Sequence, residues 1–271
     1  MYINASIYYD INNDDYEEVK NSRNFTGKVV LVTGSSSGIG EGIVKLFSIL
    51  GAHVVVTGRR ADEVHKVAQE VQKVSPKGLK PLAVIGDLTK TEDLEGLVNQ
   101  TIDTFGQLDV LVNNAGISLS ASIRDANFTQ TFDQIFNVNL RAGLQLIQLT
   151  IPYLQHTNGT IISTSSIASY LPRKAQLAYG ASKAAVDYAT KALAVELGPN
   201  IRVNAINPGA ILTEPLRKLL TPEELAAIAS VTPLKRIGQP LDIAKGVAFL
   251  ASTDAQFITG ANLVIDGGLV I

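Results

Sequence analysis

Lys28–Gly40 reads KVVLVTGSSSGIG, an apolar run followed by a turn that contains three glycines. The run from Val29 to Val32 has no polar residue, which is typical of a strand buried on both faces of a sheet. The turn leads directly into a helical pattern that continues to Leu50. A buried strand, a glycine-rich turn and a helix in this order predict the first βα unit of a parallel sheet.

Apolar runs and helical patterns continue to alternate through the rest of the chain. Six more strands are predicted near residues 51–57, 81–85, 108–112, 160–164, 201–206 and 262–265. The main helices are predicted near residues 41–50, 61–74, 91–105, 128–154, 176–197 and 241–252. This pattern predicts a Rossmann-type α/β fold: one doubly wound, seven-stranded parallel sheet with helices on both faces, in a single domain over residues 25–271.

The composition excludes several functional classes. The chain has 271 residues, a net charge of −2 and no long run of basic residues, so nothing in it indicates nucleic-acid binding. It has no cysteine, which excludes thiol nucleophiles, disulfides and zinc–thiolate sites. Its three histidines are scattered without ligand-like spacing, so no metal site is expected. No apolar run reaches the roughly 18–20 residues that span a bilayer, so no membrane span is expected.

The first 24 residues differ in composition from the rest of the chain. They contain five acidic and two basic residues, whereas a mitochondrial transit peptide is rich in arginine and poor in acids. They also lack the apolar stretch of a secretory signal. We therefore expect residues 1–24 to form a flexible N-terminal extension, with a partner contact or an alternative start site as the other interpretations, and we expect a cytoplasmic location.

The glycine-rich turn predicts a dinucleotide site. Ligands of open α/β sheets bind at the carboxyl ends of the strands, where this turn lies. Its glycines allow the backbone to approach a pyrophosphate closely, and the positive end of the following helix favours the negative charge. A tight loop without a ligand is the simpler interpretation of glycines alone, but the position between a buried strand and a helix favours the cofactor.

The end of the second predicted strand reads Thr57-Gly58-Arg59-Arg60 and indicates the choice of cofactor. No acid stands there to bind the ribose 2′-hydroxyl of NAD, whereas Arg59 offers a forked pair of donors to the 2′-phosphate of NADP. The sequence therefore predicts that NADP(H) is preferred, with NAD(H) as the alternative cofactor. The competing interpretation is that both arginines only solvate the start of a helix.

Tyr179 and Lys183 are the candidates for acid/base chemistry. On a helix, residues four apart share a face, so the two side chains can converge. An ammonium beside a phenol lowers the tyrosine pKa from its ordinary value of roughly 10, which gives a general acid/base for neutral pH. Taken alone, the spacing also fits an ordinary amphipathic helix face.

Several motifs occur together in one order along the chain: Thr33-Gly34 with Gly38-Ile39-Gly40, Asp87-Leu88, Asn113-Asn114-Ala115-Gly116, Asn139, Ser166, Tyr179 with Lys183, and Pro208-Gly209 with Thr213. On these motifs, residues 25–271 resemble the short-chain dehydrogenase/reductase superfamily, and in particular its 3-oxoacyl-[acyl-carrier-protein] reductases and generic carbonyl reductases. The resemblance implies a catalytic tetrad of Asn139, Ser166, Tyr179 and Lys183. It also implies cofactor contacts from Gly34, Ser36, Ser37, Gly38, Ile39, Gly40, Arg59, Asp87, Leu88, Asn114, Ala115, Gly116, Tyr179, Lys183, Pro208, Gly209, Ile211 and Thr213.

The tetrad residues have distinct expected roles. By the resemblance, Ser166 would orient a substrate carbonyl; it is chosen over Ser165 because it stands thirteen residues before Tyr179, the spacing that the family uses. Tyr179 would donate or accept the proton as hydride is transferred, and Lys183 would lower the tyrosine pKa and hold the nicotinamide ribose. Asn139 would hold a water that passes protons to Lys183. Outside the tetrad, Asp87 is expected to contact the adenine, with a helix-start cap as its alternative role.

The segment between Gly209 and Gly238 is expected to cover the substrate. Its Thr221-Pro222-Glu223-Glu224 stretch predicts a capping box at the start of a short lid helix. An uncharged, mainly apolar ketone or secondary alcohol fits the expected pocket lining of Ile117, Ile167, Tyr170, Leu171, Ile211 and Leu212. Two alternatives stay open: an NAD-linked alcohol or steroid dehydrogenase, and a catalytically idle NADP-binding sensor or scaffold.

Two further expectations come from the resemblance. Helices near 128–154 and 176–197 would pair across a twofold axis and give a homotetramer or a dimer, with the apolar end at residues 269–271 at a subunit contact. Carrier-protein reductases commonly present basic residues before the strand at 160 and after the helix that holds Tyr179. Here those places read Thr157-Asn158-Gly159 and Gly198-Pro199-Asn200, which argues against docking of a carrier protein there.

Overall fold

Seven parallel strands form one sheet in the order β3-β2-β1-β4-β5-β6-β7. The computed structural model describes residues 21–270, so residues 1–20 of the extension expected over 1–24 and the last residue of the apolar C-terminal end lie outside the described residues. The strands are β1 Val29–Val32, β2 His53–Gly58, β3 Leu82–Ile85, β4 Val110–Asn113, β5 Thr160–Thr164, β6 Arg202–Pro208 and β7 Asn262–Ile265. The predicted doubly wound sheet is confirmed, and its order reverses between β1 and β4, where such folds bind ligands.

Helices cover both faces of the sheet. They are α1 Gly38–Ile49, α2 Ala61–Val74, α3 Thr91–Phe105, α4 Phe128–Phe136, α5 Ala142–Thr157, α6 Leu177–Leu197, α7 Glu214–Leu219, α8 Pro222–Val231 and α9 Pro240–Ala251. The prediction of one helix over 128–154 is wrong, because a π-helical segment, Asn137–Arg141, separates α4 from α5. The short helix α7 was not predicted, and its six residues are too few to show an amphipathic period.

The apolar run at β1 supplies both core layers. Val30 and Val32 pack with the side chains of α1 and α9 in a first core layer on one face of the sheet. Val29 and Leu31 pack with those of α3 and α5 in a second core layer on the other face. All four side chains are at most 2% exposed. Alternate residues of a strand face opposite sides, so a strand covered on both faces needs an unbroken apolar run.

Candidate active site

The glycine-rich turn packs too tightly for side chains. Gly34 and Gly38 have φ angles of +62° and +58°, a conformation that glycine adopts at little cost. A Cβ atom on Gly40 would lie 2.5 Å from the Gly34 carbonyl oxygen, and one on Gly58 would lie 2.6 Å from the Ser36 hydroxyl. The turn therefore lies directly against the carboxyl ends of β1 and β2.

The turn ends at the N-terminus of α1, which fits an anionic group. Ser37 precedes the helix, and its side chain makes no capping hydrogen bond within the described part of the chain. Ile39, next in the helix, packs half-buried against the core. A cleft of about 530 Å³ begins here and follows α1 as far as Ile49, with the segment 212–217 and the start of α9 as its other walls. Glycine-built backbone at a helix N-terminus is suited to a pyrophosphate, so the residues present fit a dinucleotide.

Asn114 joins the ends of β1 and β4. Its Nδ2 donates to the Thr33 and Gly34 carbonyl oxygens at 2.9 and 3.3 Å. In return, the Thr33 hydroxyl oxygen accepts the main-chain N–H groups of Asn114 and Ala115 at 2.9 and 3.0 Å. A Cβ on Gly116 would lie 3.3 Å from Asn139 Oδ1 and 3.4 Å from Lys183 Nζ. The segment from Asn114 to Gly116 thus connects the glycine-rich turn to Lys183.

Arg59 and Asp87 follow the neighbouring strands β2 and β3. Hydrogen bonds from the Thr89 main-chain N–H and hydroxyl, at 3.0 and 2.8 Å, lower the pKa of Asp87, and the positive charge of Arg59 contributes to the same shift. The interpretation of Asp87 as a helix cap is wrong, because Lys90 is the N-cap residue of α3. Leu88 packs half-buried against the second core layer.

Ser166, Tyr179 and Lys183 meet at the end of β5. The Ser166 side chain lies close enough to Tyr179 to lower its pKa by hydrogen bonding. Lys183 Nζ lies 5.7 Å from the centre of the Tyr179 ring and donates to the Thr164 carbonyl oxygen at 2.8 Å. Gly180 permits this approach, because a Cβ there would lie 2.9 Å from the main-chain oxygen of the turn after Ser166.

Ser165 points away from this cluster. Its side chain is buried, and its hydroxyl donates to the main-chain carbonyl of Lys183 at 3.0 Å. The Ser166 hydroxyl oxygen accepts the N–H of Ala168 at 3.1 Å, at the start of a 3₁₀ turn, Ile167–Ser169. Of the two adjacent serines, Ser166 is therefore the one beside Tyr179.

Burial dominates the electrostatics of this cluster. It raises the pKa of Tyr179, and the hydrogen bond with Ser166 opposes the shift. It lowers the pKa of Lys183 to about 8, against the favourable charge of Asp187. The expected lowering of the Tyr179 pKa is wrong for this structure, since loss of water around the phenolate outweighs the stabilisation by its neighbours. Tyr179 is therefore a neutral hydroxyl at neutral pH, which makes it a proton donor.

Asn139 lies in the π-helical segment and faces the same cluster. Its Oδ1 accepts the Ile117 N–H at 2.8 Å, and its Nδ2 donates to the Ile117 carbonyl at 3.0 Å and to the Ser182 hydroxyl at 3.1 Å. The irregular turn re-aims this side chain into the loop after β4, as such π-bulges do at many functional sites. No periodicity in the sequence indicates it.

The segment after β6 crosses the glycine-rich turn. Pro208 ends β6, and a Cβ on the following Gly209 would lie 2.6 Å from the Asp266 side chain. The methyl group of Thr213 lies 3.2 Å from where a Gly38 Cβ would be. Ile211 pairs with residue 238 in an isolated β-bridge, and its side chain is buried in the first core layer. The segment 208–213 thus lies against the glycine-rich turn.

Helix α8 begins where the sequence predicts a helix start. The Thr221 hydroxyl oxygen accepts the Glu224 N–H at 3.2 Å, and the Glu224 carboxylate accepts the Thr221 N–H at 2.8 Å, so the predicted capping box is confirmed. The expected pocket residues fall into two groups. Ile167 and Ile211 are buried among other side chains, whereas Tyr170 and Leu171 are exposed; Ile117 and Leu212 lie in between.

Metal-ligand clusters and membrane-spanning helices are both absent from residues 21–270. In this part of the chain no group of three or more His, Asp or Glu side chains is arranged to hold a metal ion. None of its helices is long and apolar enough to cross a membrane.

Comparisons with known proteins agree with this geometry. A family model described as enoyl-(acyl carrier protein) reductase matches residues 34–270. The chain is 39% identical to a glucose 1-dehydrogenase of Gluconobacter oxydans over 252 residues, 91% of this chain and 93% of that protein. It is 36% identical to a 3-oxoacyl-[acyl-carrier-protein] reductase of Thermotoga maritima over 247 residues, 90% of this chain and 98% of that protein.

Solved structures of other proteins are also similar to this chain. The fold is similar to that of a 7α-hydroxysteroid dehydrogenase in complex with NADH and 7-oxo glycochenodeoxycholic acid. The TM-score is 0.87 at 33% sequence identity, and the match covers 92% of this chain and 96% of the other. At this identity and coverage the likeness extends beyond the fold to the family.

Proposed function

Because this chain belongs to the short-chain dehydrogenase/reductase superfamily, we propose that it is an NADP(H)-dependent oxidoreductase of mainly apolar ketones or secondary alcohols. The superfamily uses NAD(P)(H), and this chain is an enzyme acting on CH–OH and C=O groups. The observation that carries the proposal is the cluster in which Ser166 and Lys183 both lie beside Tyr179.

The proposed roles follow from these contacts. A nicotinamide coenzyme, when bound, would supply or take up the hydride. A substrate oxygen placed between the Ser166 and Tyr179 hydroxyls would accept a hydrogen bond from both and be oriented by them. Tyr179 is neutral because burial raises its pKa, so it holds the proton that the developing alkoxide needs. Lys183, fixed by the Thr164 carbonyl, places positive charge beside the phenolate that forms.

Asn139 has a positioning role in this proposal. Its amide bonds both main-chain groups of Ile117 and the hydroxyl of Ser182, the residue directly before Lys183. These bonds hold the loop after β4 next to Lys183. We also propose that Asn139 holds a water that passes protons to Lys183. An Asn139→Ala variant with an unaltered solvent isotope effect on kcat would contradict this role.

The preference for NADP(H) rests on the exposed end of β2. Arg60 is engaged in an ion pair with Glu63, whereas Arg59 makes no ion pair within residues 21–270. Arg59 is exposed and electrostatically close to Asp87, on the neighbouring strand end. A guanidinium in this position is suited to bind a 2′-phosphate bidentately.

An NAD-linked steroid dehydrogenase is the second candidate. It is favoured by the hydroxysteroid dehydrogenase structure, whose complex contains NADH and a 7-oxo bile acid conjugate. The relative coenzyme preference of the purified enzyme separates the two candidates.

We also propose a homotetramer or dimer that uses α4, α5 and α6. Large side chains on α6 are strongly exposed, Tyr188 to 75% and Val195 to 87%, and Leu144 on α5 is 38% exposed. Exposed large side chains two turns apart on one helix, seven residues here, share a face and are typical of a subunit contact. Sedimentation of the purified protein measures the mass, and a stable monomer would contradict this assembly.

The test of the proposed function is the turnover of coenzyme with and without the Tyr179 hydroxyl. NADPH and NADH oxidation would be followed with a panel of ketones, aldehydes, diketones and 3-oxoacyl thioesters. Tyr179→Phe should reduce kcat by about 10²–10⁴-fold, the usual contribution of a general acid, and leave NADPH binding unchanged. Tyr188→Phe, a matched change on the exposed face of α6, should keep wild-type turnover. Near wild-type kcat in Tyr179→Phe would refute the mechanism, and tight NADPH binding without turnover would favour a sensor or scaffold.

A further inference from the structure

A buried carboxylate lies one helical turn beyond Lys183. Asp187 is 7% exposed and shares a face of α6 with Lys183, which is 4% exposed. Within residues 21–270 Asp187 makes no direct ion pair, and both of its carboxylate oxygens accept from Asn207 Nδ2 at 3.0 Å. An ionised carboxylate in such a place is costly unless neighbouring groups stabilise it. Proton transfer by Tyr179 does not by itself explain why Asp187 is buried beside Lys183.

Asn207 connects this carboxylate to the serine turn. Its side chain lies on β6 and is fully buried. Besides the Asp187 oxygens, its Nδ2 lies 3.2 Å from the Ser166 carbonyl oxygen and 3.2 Å from the Ser169 hydroxyl. The Ser169 hydroxyl itself donates to the Ser166 carbonyl at 2.8 Å. The two N–H groups of the Asn207 amide are thus shared among four oxygens, two from Asp187 and one each from Ser166 and Ser169. These contacts fix β6, α6 and the 3₁₀ turn relative to one another.

The charges around Lys183 and Asp187 are few. Lys183 is faced by Tyr179 and Asp187 on its own helix, while β5 contributes the neutral carbonyl of Thr164. Tyr170, which follows the 3₁₀ turn, also faces Asp187; burial, and then the charge of Asp187, raises the pKa of Tyr170. Asn139 and Asn207, from the π-helical segment and β6, are neutral. Asp187 is accordingly the nearby negative charge that favours a protonated Lys183.

We propose that Asp187 is a positioning residue of the reaction centre, which keeps Lys183 charged and, through Asn207, holds Ser166 in register with Tyr179. The part that concerns turnover rests on the proposed function. The part that concerns the charge of Lys183 and the rigidity of the Ser166 turn is a property of the protein itself. Each part has its own measurement.

The charge is tested by titrating Lys183 in the whole protein. Lysine is labelled with ¹³C at Cε, and its NMR signal is assigned by its loss in Lys183→Met. Asp187→Asn keeps the shape of the side chain and removes its charge, so the midpoint of Lys183 should fall by about one pH unit. Thr190→Val, an equally buried polar position on α6, should leave the midpoint unchanged. An unaltered midpoint in Asp187→Asn would overturn the electrostatic part of the proposal.

The bridge is tested with Asn207→Ala, which removes the shared amide and leaves the Asp187 side chain in place. Amide hydrogen exchange at residues 167–169 should become at least tenfold faster, and kcat should fall at least tenfold with a smaller change in KM. Wild-type exchange and wild-type kcat in this variant would overturn the bridging role. If the wild-type enzyme shows no turnover that depends on Tyr179, the proposed function fails, while the titration and exchange measurements still decide this inference.

Discussion

Gly40 offers a direct test of how the glycine-rich turn is packed. A Cβ atom added there would lie 2.5 Å from the Gly34 carbonyl oxygen, 2.6 Å from Asn114 Nδ2 and 2.8 Å from Ser35 Cα. Two of these three atoms belong to the backbone and cannot rotate away. Gly40→Ala should therefore destabilise the protein by about 2–3 kcal/mol, the upper part of the range for overpacked interiors. For a chain of this size that corresponds to a fall in Tm of roughly 5–10 °C.

Gly96 provides a matched control, because it is also a glycine inside a helix. A Cβ there would meet only the end of the Gln100 side chain, at 3.9 Å. Gly96→Ala should raise stability by about 0.5–1 kcal/mol, because alanine loses less backbone freedom in a helix than glycine. The same substitution is thus expected to have opposite signs at the two sites.

Thermal unfolding of both variants, with and without NADPH, measures these effects. In the wild type, NADPH at 100 times its Kd should add about 2.7 kcal/mol to the folded state. Gly40→Ala should lose most of this gain, because the displaced Gly34 carbonyl and Asn114 amide belong to the proposed coenzyme site. A Gly40→Ala variant as stable as Gly96→Ala, with wild-type NADPH binding, would refute the packing argument.

Two further predictions concern charge. Burial lowers the folded-state pKa of Lys183 to about 8, below its ordinary 10.5, so the unfolded chain binds more protons between these values and stability should rise with pH across that window. Lys183→Met should remove this rise, worth about 3 kcal/mol, in urea unfolding measured from pH 7 to 10; an identical pH dependence in both proteins would contradict the buried lysine. Arg59→Ala should weaken NADPH binding by about 10- to 100-fold and change NADH binding little, whereas Arg60→Ala, whose guanidinium pairs with Glu63, should affect neither. Equal losses for the two coenzymes in Arg59→Ala would reject the assignment to NADP(H).

The sequence alone was sufficient wherever a local pattern has only one physical solution. The unbroken apolar run at 29–32 requires a strand covered on both faces, and the structure buries it between two core layers. The capping box at Thr221 closes within four residues, so it needs no distant partner to be predicted. Tyr179 and Lys183 are predicted from their spacing on a helix and Ser166 from the family resemblance, and the structure brings the three together at the end of β5.

Tertiary structure decided what depends on residues far apart in the chain. The π-helical segment contains Asn139, which bonds Ile117, twenty-two residues away in the chain. Hydrophobic periodicity reports only local spacing, so it cannot predict that contact. The pKa of Tyr179 was expected to fall because a lysine stands four residues on, yet it rises, because burial depends on the packing of the whole site. The sequence does not indicate Asp187 or Asn207 as site residues, because their roles also depend on tertiary contacts. Their significance comes from a shared hydrogen bond between a helix and a strand twenty residues apart, and only the folded chain creates that bond.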